Sequence, residues 1–395
     1  MKIRELAYSA QQHLESRCGC PFKRSHVYEI LAASFGYKSY AALTTSAVFA
    51  HSTPHDNPGA RHVPAIKTRC VELGYLAEAA DHVTSELSAF VAQHGIGVVT
   101  LSDLVTHLRR ELSFRSDTFE LDPGEEKDFA GNYGEGHEEE DFDPDTASEE
   151  HELLITPPIG ISPLLMDGLE TAAQKDSATA HYALALIYAA GDDEDSGGAG
   201  SSYWYTQGQE GRVLSGVEQE WADVYAKKRA DADAYSYHLR EAARLGNRQA
   251  LLDRADRFSD PSFFETRDSA CSAGPARVAE IAGRLGREAD ARYWLTIAGE
   301  AGDTGAMRQL IEGYDQGDLA RSWTWVYLAH LAGTDLTQAR YSLINEDASD
   351  YDDDVGGPAF PIGRDGVRLA VLDAARDADA RRAAEQIFKR MKGRK

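Results

Sequence analysis

The chain is poor in cysteine, and the four cysteines do not form a disulfide framework. They stand at Cys18, Cys20, Cys70 and Cys271 in a chain of 395 residues. Domains that depend on disulfides are usually short and dense in cysteine. We therefore expect reduced thiols and a fold that is held together by packing.

Long apolar runs are also absent. No uninterrupted apolar stretch approaches the roughly 18 residues that a membrane-spanning helix needs. Residues 1–10 contain no continuous apolar core of the kind found in secretory signals. We therefore expect a cytoplasmic protein that makes no membrane contact.

Sequence motifs for nucleotide binding and hydrolysis are missing. The chain has no phosphate-binding G-x-x-x-x-G-K-[ST], no H-E-x-x-H and no G-x-S-x-G, and Gly95-Ile-Gly97 lacks the third glycine of a dinucleotide fingerprint. The sequence therefore predicts no catalytic residue and no cofactor, and the protein is expected not to be an enzyme. An active site dispersed along the chain stays open as an alternative.

Two stretches resemble metal sites only weakly. Residues 350–356 begin like a calcium loop, but Val355 replaces the glycine of that loop and Pro361 its closing glutamate. A zinc ion could be surrounded by four side chains whose C-x-C spacing is uncommon, namely His13, Cys18, Cys20 and His26. The exposed acidic loop and ordinary helix surfaces are the preferred interpretations, so no metal site is expected.

Acidic residues exceed basic ones, and the excess is concentrated in one place. The formal net charge is −24, and residues 116–152 contain sixteen acidic residues against the single Lys127, a net of −15. Such a segment repels itself, so we interpret residues 116–163 as a disordered linker. Its spaced aromatic residues leave open that it docks on a basic partner or on the basic C-terminal tail.

The remaining sequence is typical of helices. Apolar residues make up 42% of the chain, enough for a core, while runs of β-branched residues are scarce. Apolar positions recur at helical spacing, which predicts an all-α protein. We expect a small N-terminal helical domain at 1–115, built from units at 1–50 and 64–115, and a separate helical domain at 164–395.

Two segments of the second domain match each other. They run from His238 to Phe258 and from Trp294 to Tyr314. Both contain a glycine (Gly246 and Gly302) that is followed directly by a polar residue (Asn247 and Asp303). An alanine (Ala250 and Ala306) and a final aromatic residue (Phe258 and Tyr314) also match. The glycine fits a left-handed helix cap, and the polar residue fits the N-cap of the next helix. The alanine permits close approach of the two helices, and the aromatic residue is expected to close the far end. A single hairpin cannot bury its apolar face, so the pattern predicts an α-solenoid of stacked hairpins.

This pattern resembles the Sel-one-like repeats, which are short-hairpin relatives of the tetratricopeptide repeats. Weaker copies lie upstream, where Asp176, Ser177, Ala180 and Tyr188 keep the register, and downstream from Trp325 to Gly333. Successive copies start about 56 and about 31 residues apart, which indicates insertions. We expect a loop at 191–216, an acidic interruption at 345–363, and a terminal cap of two helices at 367–375 and 379–391.

The resemblance implies a scaffold that binds a protein partner in the groove between hairpins, without covalent chemistry. The candidate contacts are polar and aromatic positions expected to be exposed: Tyr235, Arg240, Arg244, Arg248, Tyr293, Arg308 and Tyr327.

The N-terminal unit suggests an alternative function. Residues 22–43 resemble a small helical module found in some bacterial proteins, including a glyoxalase-related family, that has no firmly known activity. The unit is locally basic and is expected to form three helices, of which the third would run from Ser39 through Val48. A helix–turn–helix that binds DNA is therefore open, with this third helix in the major groove. The helix offers the bases only Tyr40, Thr44, Thr45 and Ser46, so a packing or docking module is preferred.

Overall fold

The computed structural model describes residues 1–51, 63–117, 160–189, 200–266, 273–344 and 360–393. Sixteen α-helices and four short strands occur in these ranges, and the predicted all-α class is confirmed. None of the helices in these ranges is long and apolar enough to cross a membrane. The stacking of hairpins into a solenoid stays a prediction.

Backbone contacts divide the chain into two compact units, which meet in the sequence between Ala250 and Leu251. The predicted domain boundary was the acidic segment 116–163, most of which lies outside the described residues. Helices on both sides of that segment belong to the first unit. Whether residues 1–115 and 164–395 fold as separate domains stays a prediction.

The first unit contains ten helices and two strands in its described residues. In chain order they are α1 Ile3–Cys18, α2 Arg24–Ser34, α3 Tyr40–Ser46, β1 Ala47–His51, α4 Val63–Glu72, α5 Ala77–Gln93, β2 Ile96–Thr100, α6 Leu101–Asp117, α7 Pro163–Ala173, α8 Ala178–Ala189, α9 Ser201–Gln209 and α10 Val217–Arg244. Helix α9 forms where a loop was predicted for 191–216, so that prediction is wrong for residues 201–209. Residues 191–199 lie outside the described part.

The third N-terminal helix is shorter than predicted because the chain turns into a strand. Helix α3 ends at Ser46, and Val48 pairs with Val99 in the antiparallel sheet of β1 and β2. The buried, β-branched and aromatic residues of β1 suit a strand that is covered on both faces. Val98 and Val99 lie within β2.

Helix α7 packs on the N-terminal core at Gly168. A Cβ atom on Gly168 would lie 3.1 Å from Cβ of Val48, so the absence of a side chain permits this close contact. The N–H of Ile3 donates to Oδ2 of Asp167 at 2.9 Å. Leu164 belongs to the same buried cluster as the N-terminal helices. Helix α7 thus completes the core of residues 1–100.

The second unit holds the remaining helices. They are α11 Arg248–Phe258, α12 Pro275–Arg284, α13 Glu288–Ala301, α14 Thr304–Gln309, α15 Leu319–Leu331 and α16 Ala374–Lys392, of which α11 begins before the unit boundary. A 3₁₀ turn at Pro261–Glu265 follows α11, and a π turn at Leu310–Tyr314 follows α14. The antiparallel strands β3 Arg340–Ile344 and β4 Phe360–Arg364 precede α16. Strand β4 forms at the end of the predicted interruption. Residues 345–359 lie outside the described part.

The chain after β4 does not form the helix predicted at 367–375. The segment 365–373 is irregular, and the N–H of Val367 donates to the carbonyl of Leu336 at 2.8 Å. That tertiary bond holds an apolar stretch whose spacing alone suits a helix. Helix α16 then begins at Ala374 with Asp373 as its N-cap, five residues before the predicted second helix.

The predicted corner between helices is confirmed in both strong copies. Gly246 and Gly302 have φ of 88° and 106°, in the left-handed region. The N–H of Asn247 donates to the carbonyl of Ala242, and its side chain accepts the N–H of Ala250 at 3.0 Å. Asp303 makes the equivalent bonds to Ala298 and Ala306. One residue thus closes the first helix and caps the second.

The weaker upstream copy has the same corner, while the far ends of the copies differ. Asp176 has φ of 59°, and Ser177 Oγ accepts the N–H of Ala180 at 3.3 Å. Phe258 is 49% exposed and therefore does not close a hairpin as predicted. Helix α14 ends after six residues and continues as the π turn. The repeated element is thus the corner, and the helices around it vary.

Candidate binding groove

A groove of about 400 Å³ runs between α13, α15 and α16 in the second unit. Helices α15 and α16 pack along each other, and α13 contacts α16. The groove is lined by Glu300, Asp318, Ala320, Arg321, Thr324, Trp325, Asp379, Ala380, Ala383 and Ile387. We call this surface the α13–α16 groove.

The floor of the α13–α16 groove is apolar because of helical spacing. On α16, Ala380, Ala383 and Ile387 recur three and four residues apart, which places them on one face. On α15, Trp325 follows one turn after Arg321. The two alanines leave space that larger side chains would fill, so an occupant would meet methyl groups and the tryptophan ring.

The rim of the groove is acidic. Asp318 and Asp379 are exposed and Glu300 is half-buried, while Arg321 is the basic residue among the lining side chains. Asp318 also caps α15 by accepting the N–H of Arg321 at 3.1 Å, and Asp379 accepts a hydrogen bond from Arg382. The lining residues together have two more negative charges than positive ones. Such a rim favours a cationic occupant.

A fully buried carboxylate, Asp315, orders one wall of the groove. Nη2 of Arg292 donates to its Oδ1 at 2.6 Å, and the indole N–H of Trp325 donates to Oδ2 at 2.9 Å. Nε of Arg321 lies 3.1 Å from Oδ2 as an ion pair without hydrogen-bond alignment. A buried charge needs such partners to offset its desolvation. Asp315 thereby fixes both Trp325 and Arg321.

The π turn positions Asp315. The N–H of Asp315 donates to the carbonyl of Leu310 at 2.7 Å, five residues back. The hydroxyl of Ser322 donates to the Asp315 carbonyl at 2.9 Å. Single π turns are rare and are often found at functional sites, where they redirect one residue. Here the turn directs a carboxylate into the protein interior.

The partner contacts predicted in the first unit differ in their solvent exposure. Tyr235 is buried, so its prediction as an exposed contact is wrong. Arg240 and Arg244 are exposed, and Nε of Arg244 donates to Glu241 at 2.9 Å. Arg248 is half-buried. Tyr235 lies on the face of α10 that also buries Leu239 and Ala242, which the helical spacing alone did not distinguish from its outer face.

The predicted contacts of the second unit lie outside the α13–α16 groove. Arg308 is buried, and its Nε donates to Glu312 at 2.8 Å, so it is not an exposed contact as predicted. Tyr293 packs edge-on against the buried Trp294. Tyr327 is half-buried, donates its hydroxyl to Asp377 and lies under the guanidinium of Arg381.

Nothing in the sequence pattern pointed to Asp315 or to its role. Asp315 directly follows Tyr314, the last residue of the second strong copy. At that place the sequence pattern was equally compatible with a helix end and with a solvated carboxylate. Trp325 was noted only as part of a weak downstream copy. The one available signal for a buried carboxylate is an acidic residue directly after an aromatic residue at the end of a helix. That combination is common at helix ends in general.

The first unit contains a second polar cluster, a pair of histidines between α8 and α10. Nδ1 of His181 lies 2.9 Å from Nδ1 of His238, and Tyr188 stacks on the His238 ring at 5.8 Å. One nitrogen must donate and the other accept. Burial, and then the neighbouring His181, lower the pKa of His238 to about 4, and burial lowers the pKa of His181 as well. Both rings are thus neutral near pH 7.

The four residues of the possible zinc site have other neighbours. Nε2 of His13 lies 3.2 Å from Glu86, and Nδ1 of His26 lies 3.0 Å from the Tyr75 hydroxyl. Cys18 and Cys20 are free thiols, and burial followed by Cys20 raises the pKa of Cys18. In the described ranges no three His, Cys, Asp or Glu side chains are grouped closely enough to hold a metal ion. The calcium-like residues 350–356 lie outside these ranges.

Helix α3 presents little surface to DNA. Thr44 is buried and accepts a hydrogen bond from Nζ of Lys175, which lies in the turn after α7. Tyr40 is half-buried, and burial raises its pKa to about 12. Thr45 and Ser46 are exposed, but their hydroxyls donate back to the carbonyls of α3. This geometry does not favour the DNA-binding alternative.

The chain matches no protein-family model, no curated protein and no solved structure. The resemblance to the Sel-one-like repeats therefore stays an interpretation of the sequence pattern.

Proposed function

We propose that the protein is a non-enzymatic scaffold that binds a protein partner in the α13–α16 groove. The observation that carries the proposal is the combination of an apolar floor with an acidic rim in one groove of the second unit. The occupant that fits this combination is a basic, amphipathic segment of another protein.

The floor supplies contact area for apolar side chains. Grooves that bind ligands commonly have volumes of about 300–1,000 Å³, and the groove volume of about 400 Å³ falls within that range. An amphipathic segment places apolar anchors on one face, as segments bound in helical grooves do. Ala380 and Ala383 leave room for such anchors beside Trp325.

The rim supplies charge complementarity. Asp318, the N-cap of α15, and Asp379, on α16, are both exposed, and Glu300 lies on α13. Lysine or arginine side chains beside the apolar anchors would meet these carboxylates. Because the rim is open to solvent, the attraction raises the association rate and weakens with added salt.

The buried carboxylate supplies rigidity. Asp315 holds the Trp325 indole and the Arg321 guanidinium before any partner arrives. A wall that is already ordered loses less conformational entropy on binding. The groove therefore has the rigid wall that a scaffold requires.

The test is affinity capture with the full chain and four variants. Ala383→Phe fills the groove and Glu300→Lys reverses a rim charge, while Gln386→Phe and Glu385→Lys make the same changes at exposed positions of α16 outside the groove. We expect a stoichiometric basic protein on the wild type and on both control variants, and its loss from both groove variants. Circular dichroism checks that all five proteins are folded.

Three outcomes would contradict the proposal. The partner could be retained equally by all variants, which would place its binding site elsewhere. No protein could be retained by the folded wild type. Finally, the full chain could shift duplex DNA at moderate salt without retaining a protein, which would support the DNA-associated alternative.

A further inference from the structure

One face of α10 continues beyond the helix that packs on it. Helix α8 packs along the second half of α10, where Tyr188 stacks on His238. Three residues of this half are buried, namely Tyr235, Leu239 and Ala242. Three residues of the first half lie 18 positions before them, namely Val217, Trp221 and Val224. Eighteen residues make five helical turns, so both sets lie on one face of α10.

The three residues of the first half are open to solvent, and we call them the α10 stripe. Val217, Trp221 and Val224 are 55%, 43% and 41% exposed. Scattered apolar residues are ordinary on protein surfaces, but an apolar row that includes a tryptophan and continues a packed interface indicates a docking surface. The α10 stripe therefore has the character of a contact surface.

The two flanks of the α10 stripe differ. Helix α9 packs on one flank, where Ala222 is buried and the rings of Tyr205 and Tyr225 lie 5.2 Å apart. The other flank presents Glu220 and Lys227, which are exposed and lie seven residues, or two turns, apart. Within the described part of the chain, neither of these two side chains forms an ion pair. Both charges are thus available to an incoming helix.

The charges around the α10 stripe are ordered along the helix. Residues 217–230 contain three acidic residues, all before Val224, and three basic residues, all after it. They are Glu218, Glu220 and Asp223, and then Lys227, Lys228 and Arg229. A uniformly basic or uniformly acidic partner would complement only one half of this segment. A second copy of α10 that runs in the opposite direction complements both halves.

From this pattern we propose that two copies of the chain associate through the α10 stripe, with their α10 helices antiparallel. Residues at the flanks of paired helices set the orientation of the pair through their charges. In the antiparallel pair, Glu220 of each copy faces Lys227 of the other, and the two ion pairs are equivalent. Such a self-complementary surface is what a twofold dimer requires.

The same register brings the apolar residues together. With Glu220 opposite Lys227 of the second copy, Trp221 lies beside Val224 of that copy near the twofold axis. Val217 then reaches the level of residue 230 and stops before Tyr235, the first residue of the buried set. The second copy therefore covers the part of the face that α8 leaves open. This surface lies in the first unit, and the proposal does not depend on the α13–α16 groove.

The first test is analytical ultracentrifugation of the full chain over a series of concentrations. We expect a reversible equilibrium between monomer and dimer. Val224→Glu should weaken the dimer by roughly tenfold or more, because it places an unpaired carboxylate in the apolar contact. Val371→Glu makes the same change at a position of the second unit that is 90% exposed, and it should leave the dimer unchanged. Circular dichroism and thermal unfolding check that each variant is folded.

Charge reversals test the orientation of the pair. Glu220→Lys and Lys227→Glu each bring like charges together in the homodimer, so each variant alone should self-associate several-fold more weakly than the wild type. An equal mixture of the two variants restores both ion pairs and should form a heterodimer. Sedimentation of one labelled variant in the presence of the other, unlabelled variant measures this.

Three results would overturn the proposal. The folded wild type could remain monomeric at every concentration. Val224→Glu could dimerise as tightly as the wild type, which would place the interface elsewhere. Finally, the mixture of the two charge variants could associate no better than either variant alone, which would exclude the antiparallel register.

Discussion

The corners at Gly246 and Gly302 have the same backbone, yet the chain beyond each corner follows a different course. After the first corner, α11 continues to Phe258, and the next residue, Ser259, is exposed with φ of 55°. After the second, α14 gives way to a π turn and Asp315 is buried. Ser259 and Asp315 occupy matching positions, 56 residues apart. The comparison shows that a local corner does not determine where the following helix ends.

The partners of the first helix differ in the same way. His238 and Trp294 occupy matching positions before the two corners. His238 bonds to another imidazole, whereas Trp294 is 4% exposed within an apolar cluster. One copy therefore contains a titratable pair where the other contains a packed indole. Three predictions test these differences.

The largest effect is expected at the position of Asp315. Asp315→Ala leaves Arg292, Arg321 and the Trp325 indole without their common acceptor, and we expect a loss of about 3 kcal/mol in the free energy of unfolding. Ser259→Ala at the matching exposed position should change it by less than about 0.5 kcal/mol. Urea unfolding followed by tryptophan fluorescence measures both. Equal effects would mean that the buried cluster does not distinguish the two copies.

An intermediate effect is expected from the pH dependence of the histidine pair. The pKa of His238 is about 4 in the folded chain, against an ordinary value of 6.5. At pH values between 4 and 6.5, His238 is protonated in the unfolded chain and neutral in the folded chain. The contribution of neutral His238 to the free energy of unfolding is therefore fully present above pH 6.5 and is lost as the pH falls toward 4. We expect a loss on the order of 1–3 kcal/mol across this window, reduced by partial solvent screening.

The control for the histidine pair uses two substitutions. His238→Gln should flatten the stability profile between pH 6.5 and 4, while His82→Gln, at an exposed position of α5, should not. Chemical unfolding at a series of pH values measures both profiles. An unchanged slope in His238→Gln would show that this histidine is not the source of the pH dependence.

The smallest effect concerns the corners themselves. Gly246→Ala and Gly302→Ala each place a Cβ at positive φ, at a cost of about 1 kcal/mol. Gly246 has open space around it, whereas a Cβ on Gly302 would lie 2.9 Å from Sδ of Met391. Gly302→Ala should therefore cost a few tenths of a kcal/mol more, and Met391→Ala should remove that difference. If Gly302→Ala costs the same free energy of unfolding with Met391 present as with Met391→Ala, the Met391 side chain moves away from the new Cβ without a measurable cost.

Local patterns predicted local structure well. The glycine and the polar residue at each corner were identified because both act within a few residues, through a φ angle and a side-chain cap. The pairing of β1 with β2 was missed because it joins residues about 50 positions apart. The prediction of a helix at 367–375 was wrong, because the N–H of Val367 donates to the carbonyl of Leu336 instead of to a carbonyl within such a helix.

The candidate sites depended still more on distant residues. Arg308 and Tyr235 were expected on the surface because charged and phenolic side chains usually reach water, but tertiary packing buried both. The α13–α16 groove joins residues from 300 to 387. These residues do not form a pattern that can be read along the chain.

The sequence by itself determined the helical class and the corners, because helical spacing, left-handed glycines and N-caps act over a single turn or two. Only the tertiary structure decided which face of each helix is buried, where Asp315 finds its partners, and that Arg340 lies opposite Arg364. The physical reason is one of range. Burial and ion pairing depend on which segments meet, and that is fixed only when the whole chain packs.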